Sequence, residues 1–89
     1  MKLITQLRNK LVSVKVGALL GEVVDAVRDL ASDEAATPEA REKCADILMS
    51  VYDACQIIEE NVLQTTPVTA AKDAAGENLK QLLDSKKDK

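Results

Sequence analysis

Residues 38–65 read PEAREKCADILMSVYDACQIIEENVLQT and carry the longest amphipathic pattern of the chain. Apolar side chains recur there at alternating intervals of four and three residues. This heptad spacing places them on one stripe of an α-helix. The stripe, called the central seam below, consists of Cys44, Leu48, Val51, Cys55, Ile58 and Val62. The pattern predicts a helix over 38–65 with one broad apolar face.

Thr-Pro pairs mark the starts of two predicted helices. Thr37 can cap the helix at 38–65, and Pro38 suits its first position. Thr66 and Pro67 repeat the signal and predict a further helix over 67–84. The apolar residues that this helix would bury are Val68, Ala71, Ala75, Leu79 and Leu82. The charged tail at 85–89 is expected to be disordered.

Two apolar stripes follow one another in the first 31 residues. The first predicts a basic amphipathic arm over 2–15 and consists of Ile4, Leu7, Leu11, Val14 and Ala18, with Leu3 beside it. The second predicts a helix over 16–31 and consists of Val16, Leu20, Val23, Val27 and Leu30. The stripes are displaced by two residues, or about 200° of helical rotation. Either the chain breaks near 15–17, or one continuous helix contacts different partners along its two halves.

Valines and glycines make the local structure of this region ambiguous. The alternating valines at 12–16 also allow a short strand, although no second strand is apparent to pair with it. Gly17 and Gly21 have the spacing of a close helix–helix contact, in which a missing side chain lets another backbone approach. They are equally compatible with a flexible joint.

The length and composition indicate one small domain. The chain has 89 residues and 1% aromatic content, so its core must be built from aliphatic and small side chains. Such a core is thin, because a chain of this size buries only about 60–65% of its unfolded surface. We therefore predict an all-α fold, a small three- to four-helix up-and-down bundle over 1–84 that self-association or a partner completes.

Charge is segregated along the chain. Residues 1–21 carry four bases and no acid, residues 22–63 carry eleven acids and three bases, and residues 64–89 carry four acids and five bases. An acidic body with a basic amino-terminal arm can attract its own kind head to tail, or present the arm to an anionic surface. Nucleic acid is disfavoured as a partner, because no aromatic residue accompanies the arm's bases and the body would repel phosphate.

The sequence argues against catalysis. It contains no histidine and no glycine-rich phosphate loop, so we predict no enzyme activity, catalytic residue, cofactor or metal site. Cys44 and Cys55 lie about 16 Å apart along one helix, too far for a disulfide within it. They would face each other in an antiparallel homodimer, or else be reduced core residues.

No segment fits a membrane span or a cleaved signal peptide, so we predict a cytoplasmic protein, or a virion protein if it is viral. A mitochondrial presequence would also be basic and amphipathic.

These observations lead to a hypothesis about function. The chain is expected to be a structural or accessory subunit that acts by helix-mediated protein–protein assembly, such as a viral or phage component or a bacterial accessory factor. It would be a homo-oligomer or part of a larger complex. The predicted partner-binding residues are Leu3, Ile4, Leu7, Leu11, Cys44, Leu48, Val51, Cys55, Ile58 and Val62. Two different functions also fit the sequence: a small acidic inhibitor of a basic site, and a peripheral membrane factor that binds through residues 2–15.

Overall fold

The computed structural model describes the backbone of residues 2–87 and the side chains of residues 3–84. Three α-helices form in this range: α1 (Lys2–Ala31), α2 (Pro38–Asn61) and α3 (Thr66–Lys87). Residues 2–87 contain no β-strand, so the all-α prediction is confirmed and the possible strand at 12–16 is not.

α1 is one continuous helix through Gly17 and Gly21. A break near residue 15 is therefore excluded, and the predicted arm and the predicted helix over 16–31 are two halves of a single element. At 1.5 Å per residue, α1 is about 45 Å long. It is the longest of the three helices, and the described chain extends 55 Å along its long axis.

α2 begins at the predicted residue and ends earlier than predicted. The Thr37 side chain accepts a hydrogen bond from the Ala40 amide at 3.1 Å, and Pro38 occupies the first turn. The helix ends at Asn61 rather than at residue 65, and the amides of Val62 and Leu63 both donate to the carbonyl of Ile58. Residues 62–65 instead form the connection to α3.

α3 is longer than predicted at both ends. It begins at Thr66, one residue before the predicted start, and continues to Lys87, three residues beyond the predicted end. α3 thus includes residues 85–87 of the predicted tail, whereas residues 88–89 lie outside the described residues.

The three helices share one apolar core. α2 contributes the central seam, and α3 buries Val68, Ala71 and Ala75 with Leu79 and Leu82 packed at the edge, as predicted. The core residues are Val24, Val27, Ala31, Cys44, Leu48, Val51, Cys55, Val68, Ala71 and Ala75. α3 packs closely against both α1 and α2, whereas α1 and α2 contact each other more sparingly.

The face by which α1 enters the core differs from the predicted one. Of the second predicted stripe, Val27 is buried and Leu20 packs against the core, but Val23 and Leu30 are exposed. The observed line also keeps alternating four- and three-residue intervals and consists of Ser13, Gly17, Leu20, Val24, Val27 and Ala31. A serine and a glycine occupy its first two positions, where α1 meets polar atoms, backbone and the Val68 side chain.

Candidate protein-interaction surfaces

Two contacts fix the point at which α1 leaves the core. The fully buried Ser13 hydroxyl donates to the carbonyl oxygen of Leu63 at 2.7 Å and lies 2.7 Å from the hydroxyl of Thr65. One turn later, a Cβ on Gly17 would meet the backbone of Pro67 and Val68. The α2–α3 connection therefore packs against α1 at Ser13, and the first turn of α3 packs against it at Gly17. The arm residues that precede Ser13 extend past it.

The arm is helical, and its described side chains before Ser13 lie outside the core. From residue 3 to residue 12 every side chain is exposed except that of Asn9, which is half-buried. The predicted contact residues Leu3, Ile4, Leu7 and Leu11 are 55–68% exposed. Exposed apolar side chains are common singly, but a contiguous set of large ones marks an interaction surface.

The apolar face of the arm points away from the core. Ile4 precedes the buried Ser13 by nine residues and Leu11 precedes it by two. At 100° per residue these offsets place them about 180° and 160° from Ser13 around α1. No described residue of α2 or α3 can therefore cover this stripe. It is accessible for contact with another molecule.

The same face of α1 becomes acidic further along. Glu22, Asp25 and Asp29 follow Ile4, Leu7 and Leu11 by eighteen residues each, or five helical turns. These three acids, called the acidic row below, are all exposed. Arg28 lies 3.6 Å from a carboxylate oxygen of Asp25 and 3.7 Å from one of Asp29. One side of α1 is thus apolar and basic in its first half, and mainly acidic in its second.

The central seam packs inside the chain. Cys44, Leu48, Val51 and Cys55 are buried, and Ile58 and Val62 are half-buried. Four of these predicted partner-binding residues belong to the core that α2 shares with α1 and α3 of the same molecule, and Ile58 packs against it. Of the two predicted contact surfaces, the arm is the more exposed in the folded chain.

Both cysteines are buried free thiols of the core. Burial raises the pKa of the Cys55 thiol, and the nearby Glu59 carboxylate raises it further, while Lys72 partly offsets the two effects. A thiol with a raised pKa is a weak nucleophile, because the thiolate is the reactive form. Both thiols lie in the core of their own chain, whereas an antiparallel homodimer would place Cys44 of one copy opposite Cys55 of the other.

A polar cluster joins α2 to α3 on the side away from α1. The Lys72 ammonium donates to Glu59 at 3.0 Å, and the Thr69 hydroxyl donates to the same carboxylate at 2.8 Å. The ammonium also lies 5.3 Å from the centre of the Tyr52 ring. The hydrogen bond with Lys72, followed by the one from Thr69, lowers the pKa of Glu59, and the Glu59 hydrogen bond raises the pKa of Lys72. These groups satisfy one another, which is the arrangement of a structural link between helices.

Two depressions on the surface are shallow and open. One lies beside the α2–α3 connection and is lined by Thr65, Thr69 and Asp73 among others. The other lies between α1 and α3, near Arg28 and Asn78. Within residues 2–87, no three cysteine or acidic side chains converge in a group that could hold a metal ion.

None of the described helices has both the length and the hydropathy that a membrane span requires. No protein-family model, curated protein or solved structure matches this chain.

Proposed function

We propose that this chain is a non-enzymatic structural or accessory subunit that acts by helix-mediated assembly with another protein. The observation that supports this most strongly is the arm, whose large apolar side chains extend beyond the core on a continuous helix. The core is a three-helix up-and-down bundle in this proposal, and association completes it. The chain would act in the cytoplasm or, in a viral setting, in the virion.

The partner surface that fits the arm is an apolar groove with acidic edges. Leu3, Ile4, Leu7 and Leu11 supply an amphipathic helix face of the kind that docks into such grooves. Arg8 follows Leu7 and Lys10 precedes Leu11, so a base flanks the apolar stripe on each side. A groove bordered by carboxylates would satisfy both features.

A membrane surface matches the arm less well. A flat bilayer that contacts Ile4, Leu7 and Leu11 would also face the acidic row, which lies on the same side of the same helix. Anionic headgroups would repel these carboxylates, and burial in the interface would desolvate them. A protein partner of limited length avoids this conflict, because it can contact the arm and end before Glu22.

The acidic row supports a second candidate function, that of a small acidic inhibitor. Its carboxylates are exposed, with 66% of the Asp25 side chain and 78% of the Asp29 side chain accessible. A basic site on an enzyme or a nucleic-acid-binding protein would be the target. In that case the contact would centre on the second half of α1 and not on the arm.

Site-specific photo-crosslinking tests these candidates in the native host. A photo-reactive residue replaces Leu7 in the full chain, and matched variants carry it at Asp25 and at the exposed Met49 of α2. We expect a protein adduct of defined mass from Leu7 and much less from the other two positions. Adducts mainly from Asp25 would favour the inhibitor. Lipid adducts alone, or no adduct from Leu7, would overturn the proposed assembly function.

A further inference from the structure

A second apolar line on α1 remains uncovered by the fold. It keeps the heptad intervals from residue 12 to residue 30 and consists of Val12, Val16, Leu19, Val23, Ala26 and Leu30. All of these residues are exposed except Val16, which is half-buried, and Leu19, Val23 and Leu30 are 40–60% exposed. Such a line is typical of a helix that packs against a further helix.

The position of Gly17 shows where this line lies. Gly17 faces α3, because its α-carbon abuts the backbone of Val68. Leu19, Val23 and Leu30 lie about 160°, 120° and 140° from Gly17 around α1, at 100° per residue. They are therefore turned away from α3 and lie beside Leu20 and Val27, which join the core that α1 shares with α2.

Helical geometry also identifies the face of α2 that borders this line. Tyr52 and Glu59 face α3, since they contact Gly76 and Lys72. Ile47 and Ala54 lie about 140° and 160° from Tyr52 around α2, and so border α1. Ile47 is 41% exposed. An open groove, formed by Leu19, Val23, Leu30, Ile47 and Ala54, thus runs between α1 and α2, which contact each other more sparingly than either contacts α3.

Acidic residues border this groove on both sides. Glu22 precedes Val23 and Asp29 precedes Leu30 on α1, while Asp46 precedes Ile47 and Asp53 precedes Ala54 on α2. Each acid is exposed. Around its own helix, it lies about 100° further from the core than the groove residue that follows it. The groove is therefore an apolar channel between two rows of carboxylates.

We propose that the arm of a second copy of this chain lies in this groove, an inference that rests on the proposed assembly function. Its apolar stripe would contact the groove, and its flanking Arg8 and Lys10 would face the carboxylate rows. The lengths also agree: Leu3 to Val14 on the arm and Leu19 to Leu30 in the groove each span eleven residues, or about 16 Å. The arm then supplies the fourth helix that the core lacks.

Charge favours this contact over the pairing of two arms. Residues 1–21 carry four bases and no acid, so two arms side by side would repel each other. The arm and the groove are different surfaces. The contact is therefore either reciprocated within a closed two-fold dimer or repeated from one copy to the next as a ring or an open chain.

Complementary variants of the full chain test this arrangement. Leu7→Asp disables the arm and leaves the groove intact, whereas Leu19→Asp disables the groove and leaves the arm intact. Both residues are about 60% exposed, so both variants should melt like the wild type. Met49→Asp is the control, because Met49 lies about 200° from Ile47 around α2. The measurement is mass by light scattering on a size-exclusion column over a range of concentrations.

We expect wild type and Met49→Asp to exceed the 9.6 kDa chain mass increasingly as concentration rises. Leu7→Asp alone and Leu19→Asp alone should each stay near 9.6 kDa, because each substitution should weaken association more than about tenfold. Their equimolar mixture should form a heterodimer that grows no further, since it has one functional arm and one functional groove in contact.

Two results would overturn the inference: a wild type that remains monomeric at every concentration, or an assembling wild type whose mixed variants do not pair. If the inference fails while Leu7 still crosslinks to a different protein, the proposed function stands with a foreign partner. If Leu7 crosslinks to no protein, the proposed function fails as well.

Discussion

A Cβ placed on Gly17 would lie 2.5 Å from the main-chain nitrogen of Val68, closer than real Cβ atoms approach such an atom. The first turn of α3 therefore rests directly on the backbone of α1. Gly21, one turn later, has no atom within 4 Å of the corresponding position. The close-contact prediction for this pair of glycines thus applies to Gly17 alone.

Alanine substitutions at these two glycines should have opposite effects. Gly17→Ala should lower the free energy of unfolding by about 1–3 kcal/mol, because α3 must shift to admit the methyl group. Gly21→Ala should raise it by up to about 1 kcal/mol, because alanine favours the helix and nothing opposes it. Urea unfolding measures both. A Gly17→Ala variant as stable as Gly21→Ala would contradict the close packing of Val68.

Ser13→Ala should destabilise the α2–α3 connection. The variant removes a fully buried hydroxyl and leaves the Leu63 carbonyl and the Thr65 hydroxyl without it, at a cost of about 1–3 kcal/mol. Ser50→Ala is the matched control, because the Ser50 hydroxyl bonds a carbonyl on the exposed face of α2. Thermal melts of the two variants should separate clearly. Equal melts would mean that water replaces the Ser13 hydroxyl.

Val51→Asp should abolish the folded state. Val51 is buried at the middle of the central seam, and an unpaired buried carboxylate costs several kcal/mol, comparable to the whole stability of a small domain. Ile57→Asp makes the same change on a side chain that is 58% exposed and should fold normally. Far-UV circular dichroism reports both. Persistence of the helical signal in Val51→Asp would contradict the observed core.

The Glu59–Lys72 pair should make stability depend on pH. The pKa of Glu59 lies below its ordinary value of 4.5, so the pair's stabilisation is present above that value and is lost as the pH falls through the folded pKa. The pKa of Lys72 is raised above 10.5, so the stabilisation is also lost as the pH rises through that folded pKa. The deficit in melting temperature of Glu59→Gln against wild type should therefore shrink in acid.

Glu60→Gln is the control for this measurement, because Glu60 is exposed and its hydrogen bond from the Gln56 side chain is long at 3.3 Å. Its melting temperature should stay close to that of wild type throughout. A Glu59→Gln deficit that persists at the lowest pH would show that packing, and not the ion pair, links α2 to α3 there.

Deletion of residues 1–10 should leave the melting temperature almost unchanged. The side chains of residues 3–10 lie outside the core, and the first fully buried side chain of α1 is that of Ser13. The helical signal should fall only by the share of the deleted turns, measured by circular dichroism at equal molar concentration. Loss of cooperative melting would show that the arm supports the fold, contrary to its exposure.

Apolar periodicity predicts the buried face of a helix that has one apolar face, and it is ambiguous for a helix that has two. The central seam and the buried face of α3 follow directly from their apolar spacing, because charged and polar residues interrupt the exposed faces of both helices. In α1, Val23 and Leu30 lie beside Val24 and Ala31, and periodicity alone cannot decide which pair faces inward. The packing of α3 against α1 determines that Val24 and Ala31 face the core.

Ser13 and the end of α2 show a second limit of prediction from sequence. No apolar pattern indicates that a serine is fully buried, because its place depends on the Leu63 carbonyl, fifty residues away in the chain. The early end of α2 likewise involves a contact between parts of the chain that are distant in sequence. Residues 62–65 extend the apolar pattern of the seam, yet they form the connection that meets Ser13.

The continuity of α1 has a kinetic and entropic consequence for binding. An isolated segment as short as the arm would be only marginally helical, because forming the first turn fixes several residues for a single hydrogen bond. In this chain the core holds α1 from Ser13 onward, so the arm extends a helix that is already nucleated. A partner therefore meets a preorganised helix, and association loses less conformational entropy than coupled folding of a free peptide would.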